Sequence, residues 1–289
     1  MGGGPSKEDL LRGEQARINR EYPVSLKFPG FWDNESAFLR EKLLNSEIAS
    51  NVPAGAEKLV QTATGLSYGG TVLKAMMKLV CESTESIKRA LLMLEIREAI
   101  AQSAHSQVKA KMEVVKAKLE SAQNEKDMAS KENKLDSANT ACYELLMLFK
   151  DEDFYLFKKP LAFAPFFVSF VSIYVVVLKA HYLITKSSQR KTDATRVLIM
   201  LKEVITRYQK KTSKARRNYV YMTAVPFSEG EIVVVDGFTK YELYIQGNHF
   251  LIPHIVSEIK EWYQKELEDT YSNYFDESLQ MVDKVLKSL

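Results

Sequence analysis

The chain has 289 residues, of which 46% are hydrophobic and 27% are charged, and its formal net charge is +3. This composition excludes an intrinsically disordered chain, and two cysteines are too few for a disulfide-stabilised scaffold. Cys81 and Cys142 stand in ordinary apolar surroundings. We therefore predict two buried thiols in a reducing compartment.

The N-terminus combines a glycine-rich start with an acylation pattern. It begins MGGGPS, which matches M-G-x-x-x-[ST], so Gly2 is a candidate myristoylation site. The alternative is a flexible glycine-rich leader. The first residues lack the apolar core of a secretory signal, and we expect a cytoplasmic protein that lies peripherally at membranes. Residues 1–33 are predicted to form this flexible lead.

The segment from Gly65 to Gly69 has the sequence GLSYG, which matches the G-x-S-x-G pattern of a nucleophilic serine. Such a serine requires a parallel sheet beneath it, and an acid and a histidine that follow in the chain. No alternation of strands and helices surrounds Ser67. We therefore predict that Gly65 and Gly69 allow close helix packing and that Ser67 is not catalytic.

Amphipathic helices are predicted over much of the chain. A short one covers Asn34 to Ser50, and a long one extends from Thr84 to Glu125 without proline or glycine. Further helices are expected from Leu135 to Phe149 and from Val197 to Tyr208. In the long helix, apolar residues recur every three or four positions, which predicts one buried face: Ala101, Ala104, Val108, Met112, Val115, Leu119 and Ala122.

The most apolar part of the chain is Leu161 to Leu178, LAFAPFFVSFVSIYVVVL, which contains no charged residue. Its length is just sufficient to cross a bilayer. The same pattern is typical of a helix that is surrounded by other helices in a bundle. Because the segment is rich in β-branched residues, a strand is a third interpretation. We expect a buried central helix and leave the other two open.

A basic segment follows the apolar one. From Lys186 to Arg217 there are eleven Lys and Arg residues against two acidic ones. A solvated helix face is one interpretation, and a surface for anionic lipid is the other. Tyr208 and Tyr219 could stack on bases, but no nucleic-acid module is recognisable, and we predict no nucleic-acid partner. The candidate lipid-binding residues are Arg207, Lys210, Lys211, Lys214, Arg216 and Arg217.

The period of the sequence changes near the C-terminus. Two runs of β-branched and aromatic residues flank Asp236-Gly237 in EIVVVDGFTKYELYI, which predicts a β-hairpin. A helix with an acidic exposed face is then expected from about Pro253 to Leu289, and that face is a candidate surface for protein partners. The predicted fold class is mainly α, a multi-helix bundle (34–217) with a central apolar helix, on which the late β-hairpin and C-terminal helix (218–289) pack.

Catalytic and cofactor-binding patterns are not found in the sequence. There is no phosphate-binding loop, and neither the cysteines nor the His249/His254 pair has the spacing of metal ligands. We therefore predict no enzyme activity, no cofactor and no metal.

The order of elements carries a resemblance. A small-residue hairpin, long amphipathic helices, the apolar helix in PLAFAPFFVSFVSIYVVVLKAHYLI and a further amphipathic helix follow one another over about residues 35 to 217. This order resembles the N-terminal helical domain of the insecticidal delta-endotoxins and the related cnidarian (jellyfish) toxins. The resemblance implies amphipathic helices around a central apolar one, and a helical hairpin that enters membranes to form a pore.

These observations lead to two functional expectations. The first is a non-enzymatic, membrane-associated helical-bundle protein that binds an anionic membrane surface and forms pores by inserting apolar helices, with self-assembly into homo-oligomers. The alternative is a soluble myristoylated scaffold or adaptor that binds other proteins.

Overall fold

A computed structural model describes residues 6–22, 99–123, 125–152, 159–224, 232–245 and 252–289. The helices are α1 (Lys7–Glu21), α2 (Ala99–Gln123), α3 (Met128–Lys150), α4 (Pro160–Thr185), α5 (Ser188–Asn218), α6 (Ile252–Asn273) and α7 (Asp276–Ser288). The strands are β1 (Val220–Ala224), β2 (Ile232–Asp236) and β3 (Tyr241–Tyr244). The predicted fold class, a mainly α-helical bundle with a late β-hairpin, is confirmed.

The chain divides into two compact units. The first combines Met1–Gly30 with Gln209–Tyr274, and the second combines Phe31–Tyr208 with Phe275–Leu289. This division differs from the predicted boundaries, because the change of unit falls within α5 and the last helix belongs to the second unit. Each unit joins segments that are distant in the chain, which a linear inspection of the sequence does not show.

In the second unit, α2 and α3 form a helical hairpin. Within the described part of the predicted long helix, the expected apolar face is buried, from Ala104 to Ala122. The helix α3 begins at Met128, earlier than predicted, because the Asp127 side chain accepts a hydrogen bond from the Ser130 amide at 2.7 Å and so caps the helix. Cys142 is a buried free thiol, as predicted.

In the first unit, α1 packs against α6. The prediction of a flexible lead is wrong for residues 7–21, which are helical. Ser6 and Asp9 form a reciprocal capping box that satisfies the first amides of α1. Just after the helix, the ring of Tyr22 stacks on Tyr241 with centroids 4.1 Å apart, which attaches the segment to the sheet.

The sheet has the order β1-β2-β3, and both pairings are antiparallel. The predicted hairpin around Asp236-Gly237 is β2 and β3, and the sequence analysis missed β1. Gly237 packs closely against Tyr219: its amide donates to the Tyr219 carbonyl oxygen at 2.8 Å, and an added Cβ would lie 3.2 Å from the same oxygen, so a larger residue would need a small local shift.

The predicted single C-terminal helix is two helices. The chain turns at Tyr274 and Phe275, and the Phe275 side chain is fully buried. No proline or glycine marks the turn, so the helical period continues through it in the sequence. The break therefore has no local marker in the sequence.

Candidate functional site

The apolar helix α4 is the most unusual element of the second unit. It has 26 residues, and its most apolar 18-residue window has a mean hydropathy of 2.4 and is completely buried. Pro160 stands at the start of the helix, and Lys186 ends it in the left-handed conformation with φ 47°. The prediction of a buried central helix is confirmed, and that of a strand is wrong. Insertion into a membrane stays a prediction.

Aromatic contacts from two neighbouring helices hold α4 in place. Phe149 of α3 lies with its ring centroid 4.8 Å from Phe167 and 5.5 Å from Phe170. Tyr208 of α5 stacks on Phe167 at 4.5 Å and also contacts Phe149 edge-on at 5.9 Å. Such pairs contribute about 0.5–1.5 kcal/mol each beyond the burial of their area. Tyr208 is fully buried, so it does not offer its ring to a nucleic-acid base.

Two basic side chains near the C-terminal end of α4 are buried. The Lys179 ammonium donates hydrogen bonds to the carbonyl oxygen of Ser288, at 3.0 Å, and to its hydroxyl. Burial lowers the pKa of Lys179 to about 8. The pKa of His181 is also lowered, first by burial and then by the positive charge of Arg190. This end of the helix therefore carries groups that resist protonation while they remain packed.

The cations of the basic segment differ in their surroundings: some form ion pairs, and others are exposed. Arg207 pairs with Glu152 at 3.1 Å, and Arg217 pairs with Glu268 at 3.2 Å. Lys210, Lys211 and Lys214 are exposed, as the lipid-binding hypothesis requires. Lys210 and Lys214 line a groove with Glu268 and Asp269, which lowers the net positive charge of the groove. We therefore expect exposed Lys210, Lys211 and Lys214 to contribute more to the attraction of anions than Arg216, which is buried.

The prediction that Arg216 belongs to the lipid-binding cluster is wrong. Its side chain is fully buried, and its guanidinium forms a bidentate ion pair with the Asp236 carboxylate. The guanidinium carbon also lies 4.9 Å from the Phe238 ring centroid and 5.3 Å from that of Tyr271. Arg216 is thus a structural residue of the first unit.

The Asp236 carboxylate is the centre of a buried polar network that the sequence analysis missed. Besides Arg216, it accepts a hydrogen bond from the Tyr263 hydroxyl at 3.0 Å and one from the Phe238 amide at 3.1 Å. In the sequence, Asp236 has the pattern of an ordinary turn residue before glycine. One signal in the sequence was that Asp236 directly follows four apolar residues of a strand. A charged side chain in that position often has a buried partner.

Several predicted site residues lie outside the described residues. These are the acylation candidate Gly2 and the close-packing candidates Gly65 and Gly69, together with Ser67. The predicted helix from Asn34 to Ser50 also lies outside them. Among the residues that the structure describes, no group of three or more His, Cys, Asp or Glu side chains could hold a metal ion.

Comparison with protein families, with curated proteins and with solved structures finds no match for this chain.

Proposed function

We propose that this protein is a non-enzymatic, membrane-active helical bundle that stores an apolar helix of membrane length and inserts it into an anionic bilayer, forming a pore. The observation that carries the proposal is the complete burial of the 18-residue apolar window of α4. Within the described residues, α4 is the one helix that is long and apolar enough to cross a membrane.

The dimensions of α4 suit a bilayer. Twenty-six helical residues extend about 39 Å at about 1.5 Å per residue, and the hydrocarbon core is about 30 Å thick. Lys159 and Lys186 flank the helix at its two ends, where cationic side chains suit the headgroup regions. A helix of this length would span the core with some tilt.

One of the polar groups within the apolar window is satisfied by its own helix. The Ser172 hydroxyl donates to the Val168 carbonyl oxygen at 3.2 Å, four residues back. This bond does not depend on neighbouring helices, so it would persist in lipid. Moving the window from the bundle to a bilayer exchanges one apolar environment for another, and the exchange has a low cost in desolvation.

Contact with the membrane would come from other parts of the chain. In this proposal, exposed Lys210, Lys211 and Lys214 attract anionic lipid, and an acyl chain on Gly2 supplies the second anchor. Homo-oligomers of the inserted protein would then line the pore.

A soluble scaffold is the second candidate function, and exposed apolar side chains favour it. On the α2–α3 hairpin, Val114 is 49% exposed, Met147 is 40% exposed and Tyr143 is 38% exposed. Tyr143 and Met147 lie one turn apart on α3, and contiguous exposed apolar surface is a feature of protein-binding sites. The acidic face of α6 is a further candidate surface for protein partners. In this case α4 would remain a core helix throughout.

A reversible crosslink between α3 and α4 separates the two functions. Cys142 lies on α3 and Tyr174 on α4, and these two helices pack together. We expect the variant C81S/Y174C, once its disulfide with Cys142 has been verified by mass, to release no dye from anionic liposomes. Release should return on reduction, because the reduced bundle can separate its helices.

The same variant in its reduced form is the matched control, since it differs from the crosslinked form by one bond. Equal dye release from the crosslinked and reduced forms would contradict the insertion of α4. If the wild-type chain releases no dye from anionic or neutral liposomes between pH 5 and pH 7.5, the scaffold function replaces the membrane function.

Acidification is expected to promote release through His181. The pKa of His181 in the folded protein is lowered from about 6.5, first by burial and next by Arg190, while Asp136 and Glu132 act in the opposite direction. As the pH falls below about 6.5, His181 binds a proton more readily in the unfolded chain than in the folded one. The free energy of unfolding of the bundle therefore decreases. The shift of Lys179 is already in effect below pH 8 and adds no change in this range.

We therefore expect the melting temperature to fall more between pH 7 and pH 5 in the wild type than in His181→Gln, and dye release to rise over the same interval. The glutamine keeps a polar side chain but has no titrating group. Identical pH profiles for the two proteins would show that His181 does not cause the change.

A further inference from the structure

The groove between α5 and α6 lies within the first unit and has a volume of about 610 Å³. This volume falls in the range of about 300–1,000 Å³ that is usual for small-molecule sites. The wall formed by α5 carries Lys210, Lys214 and Arg217, and the wall formed by α6 carries Glu268 and Asp269. The other four lining residues are polar and uncharged, so the groove does not suit an apolar ligand.

Direct contacts between α5 and α6 hold the two walls of the groove side by side. The side-chain amide of Gln209 donates a hydrogen bond to the Ser272 carbonyl oxygen at 3.0 Å. Further along the same helix, Arg217 pairs with Glu268 at 3.2 Å. Gln209 and Arg217 are eight residues apart on α5, a distance of about 12 Å at about 1.5 Å per residue. The groove is therefore fixed over a length that suits a small molecule.

The two walls of the groove carry unpaired charges of opposite sign. Lys210 and Lys214 are exposed one helical turn apart on α5, and Asp269 is exposed on α6. Within the described residues, none of these three side chains forms an ion pair. Two ammonium groups at this spacing repel each other, and a bound anion would offset the repulsion. The α5 wall therefore suits an anionic group, and Asp269 suits a cationic one.

The charge balance of the groove favours a ligand that carries both signs. Three cations and two carboxylates line the groove, which gives a net charge of +1. A phosphate monoester carries about −1.5 to −2 at pH 7, so a phosphate joined to one ammonium group has a charge close to −1. A ligand with anionic groups alone would be repelled by Asp269, and a purely cationic ligand would be repelled by Lys210 and Lys214.

The lining also distinguishes between kinds of ammonium group. Among the described residues that line the groove there is no aromatic ring. Quaternary ammonium groups such as choline are held mainly by aromatic faces. A primary ammonium group instead donates charge-assisted hydrogen bonds, and the Asp269 carboxylate can accept them. The groove is therefore better suited to a primary amine.

We propose that this groove binds an aminoalkyl phosphate, with Lys210 and Lys214 on the phosphate and Asp269 on the primary ammonium group. Phosphoethanolamine is the simplest member of this class. The same chemical group occurs free in solution and as the headgroup of phosphatidylethanolamine. The lipid source rests on the proposed membrane function, whereas the soluble source is independent of it.

Calorimetry and ligand-observed NMR without lipid test the soluble form. The probes are phosphoethanolamine, phosphocholine, inorganic phosphate and ethanolamine. We expect saturable binding of phosphoethanolamine that is at least threefold tighter than that of the other three. Lys214→Ala should weaken it about two- to fivefold, as expected for the loss of one exposed ion pair. Asp269→Asn should weaken phosphoethanolamine by a similar factor but should not weaken phosphate, because Asp269 contacts the ammonium group.

Lys191→Ala and Glu261→Gln are the matched controls. Each removes one exposed charge from α5 or α6 at a position that does not line the groove. Their affinities should equal that of the wild type. The proposal is overturned if phosphoethanolamine does not bind saturably, or if it binds no more tightly than phosphate. It is also overturned if Lys214→Ala and Asp269→Asn both leave the affinity unchanged.

Vesicle sedimentation distinguishes the two sources of the ligand. The fraction of anionic lipid is held constant while phosphatidylcholine is replaced by phosphatidylethanolamine. If the groove takes the lipid headgroup, the replacement should increase binding of the wild type but not of Asp269→Asn. Equal binding to the two compositions, together with binding of free phosphoethanolamine, would assign the groove to the soluble molecule. Dye release is not used in these measurements, so a failure of pore formation would not affect their result.

Discussion

Replacement of Asp236 by alanine is expected to destabilise the first unit by about 3–5 kcal/mol, because it leaves the Arg216 guanidinium charged, buried and unpaired. The Tyr263 hydroxyl loses its acceptor in the same change. Hydrogen exchange followed by mass spectrometry can show which unit loses stability, since peptides from 209–274 report on the first unit. We expect the exchange protection of these peptides to fall first.

Two comparisons identify the cause of this effect. Glu242→Ala removes an exposed carboxylate from the same sheet, and it should change the free energy of unfolding by less than about 0.5 kcal/mol. The double variant R216M/D236L removes both charges, so it should recover the part of the D236A loss that comes from the unpaired guanidinium, but not the part that comes from the Tyr263 hydroxyl and the Phe238 amide, which still lack their acceptor. A cost below about 1 kcal/mol for D236A would show that the ion pair contributes little.

Val175→Asp is expected to unfold the second unit. Val175 lies within the apolar window of α4 and is 1% exposed. A carboxylate at this position would be buried one turn from Lys179, whose ammonium is already bonded to Ser288, and a buried charge that is not fully compensated costs several kcal/mol. That cost is a large fraction of the about 5–15 kcal/mol that stabilises a typical domain. Loss of cooperative thermal unfolding and of exchange protection in 160–185 would be the measured result.

Matched substitutions separate charge from shape in this test. Val175→Thr keeps the branched shape, and its hydroxyl can donate to the carbonyl oxygen of Val171, as Ser172 donates to Val168 in the same helix. We expect a cost of about 1 kcal/mol for this variant. Ile199→Asp, at a position that is 50% exposed on α5, should be close to neutral. A folded and stable Val175→Asp protein would contradict the central position of α4.

These two variants probe different units, and their results bear differently on function. Asp236 and Arg216 form a buried ion pair in the first unit. The loss of stability in Asp236→Ala would therefore report on folding and would not test lipid binding. The lipid hypothesis depends instead on exposed Lys210, Lys211 and Lys214, since Arg216 does not reach the surface. Insertion depends on α4. The crosslink between α3 and α4 prevents this helix from leaving the bundle.

Much of the local structure was predictable because it depends on spacing within one element. The recurrence of apolar residues at three and four positions identified the buried face of α2, including Val108, Met112 and Val115. The uninterrupted apolar run identified α4 as a surrounded helix. The Asp236-Gly237 pair placed the turn between β2 and β3 correctly. In each case the signal lies in residues that are close together in the chain.

The features that were missed depend on contacts between distant residues. Arg216 stands among other cations and has the pattern of a surface residue, yet its partner is Asp236, twenty positions later. The break at Phe275 and the attachment of α1 to the first unit likewise have no local marker. A cavity of about 340 Å³ is lined by residues of α3, α4 and α5, among them Asn139, Tyr174 and His181, and none of these is notable in its own segment.

The amino-acid sequence alone was therefore sufficient for the helical class, the central apolar helix and the hairpin, because the periodicity of side chains along one element defines which face avoids water. The three-dimensional structure was needed for the two units, the Arg216–Asp236 pair and the cavity. Periodicity shows that a side chain is buried, but the partner that satisfies a buried charge or hydroxyl is supplied by packing between elements that are far apart in the chain.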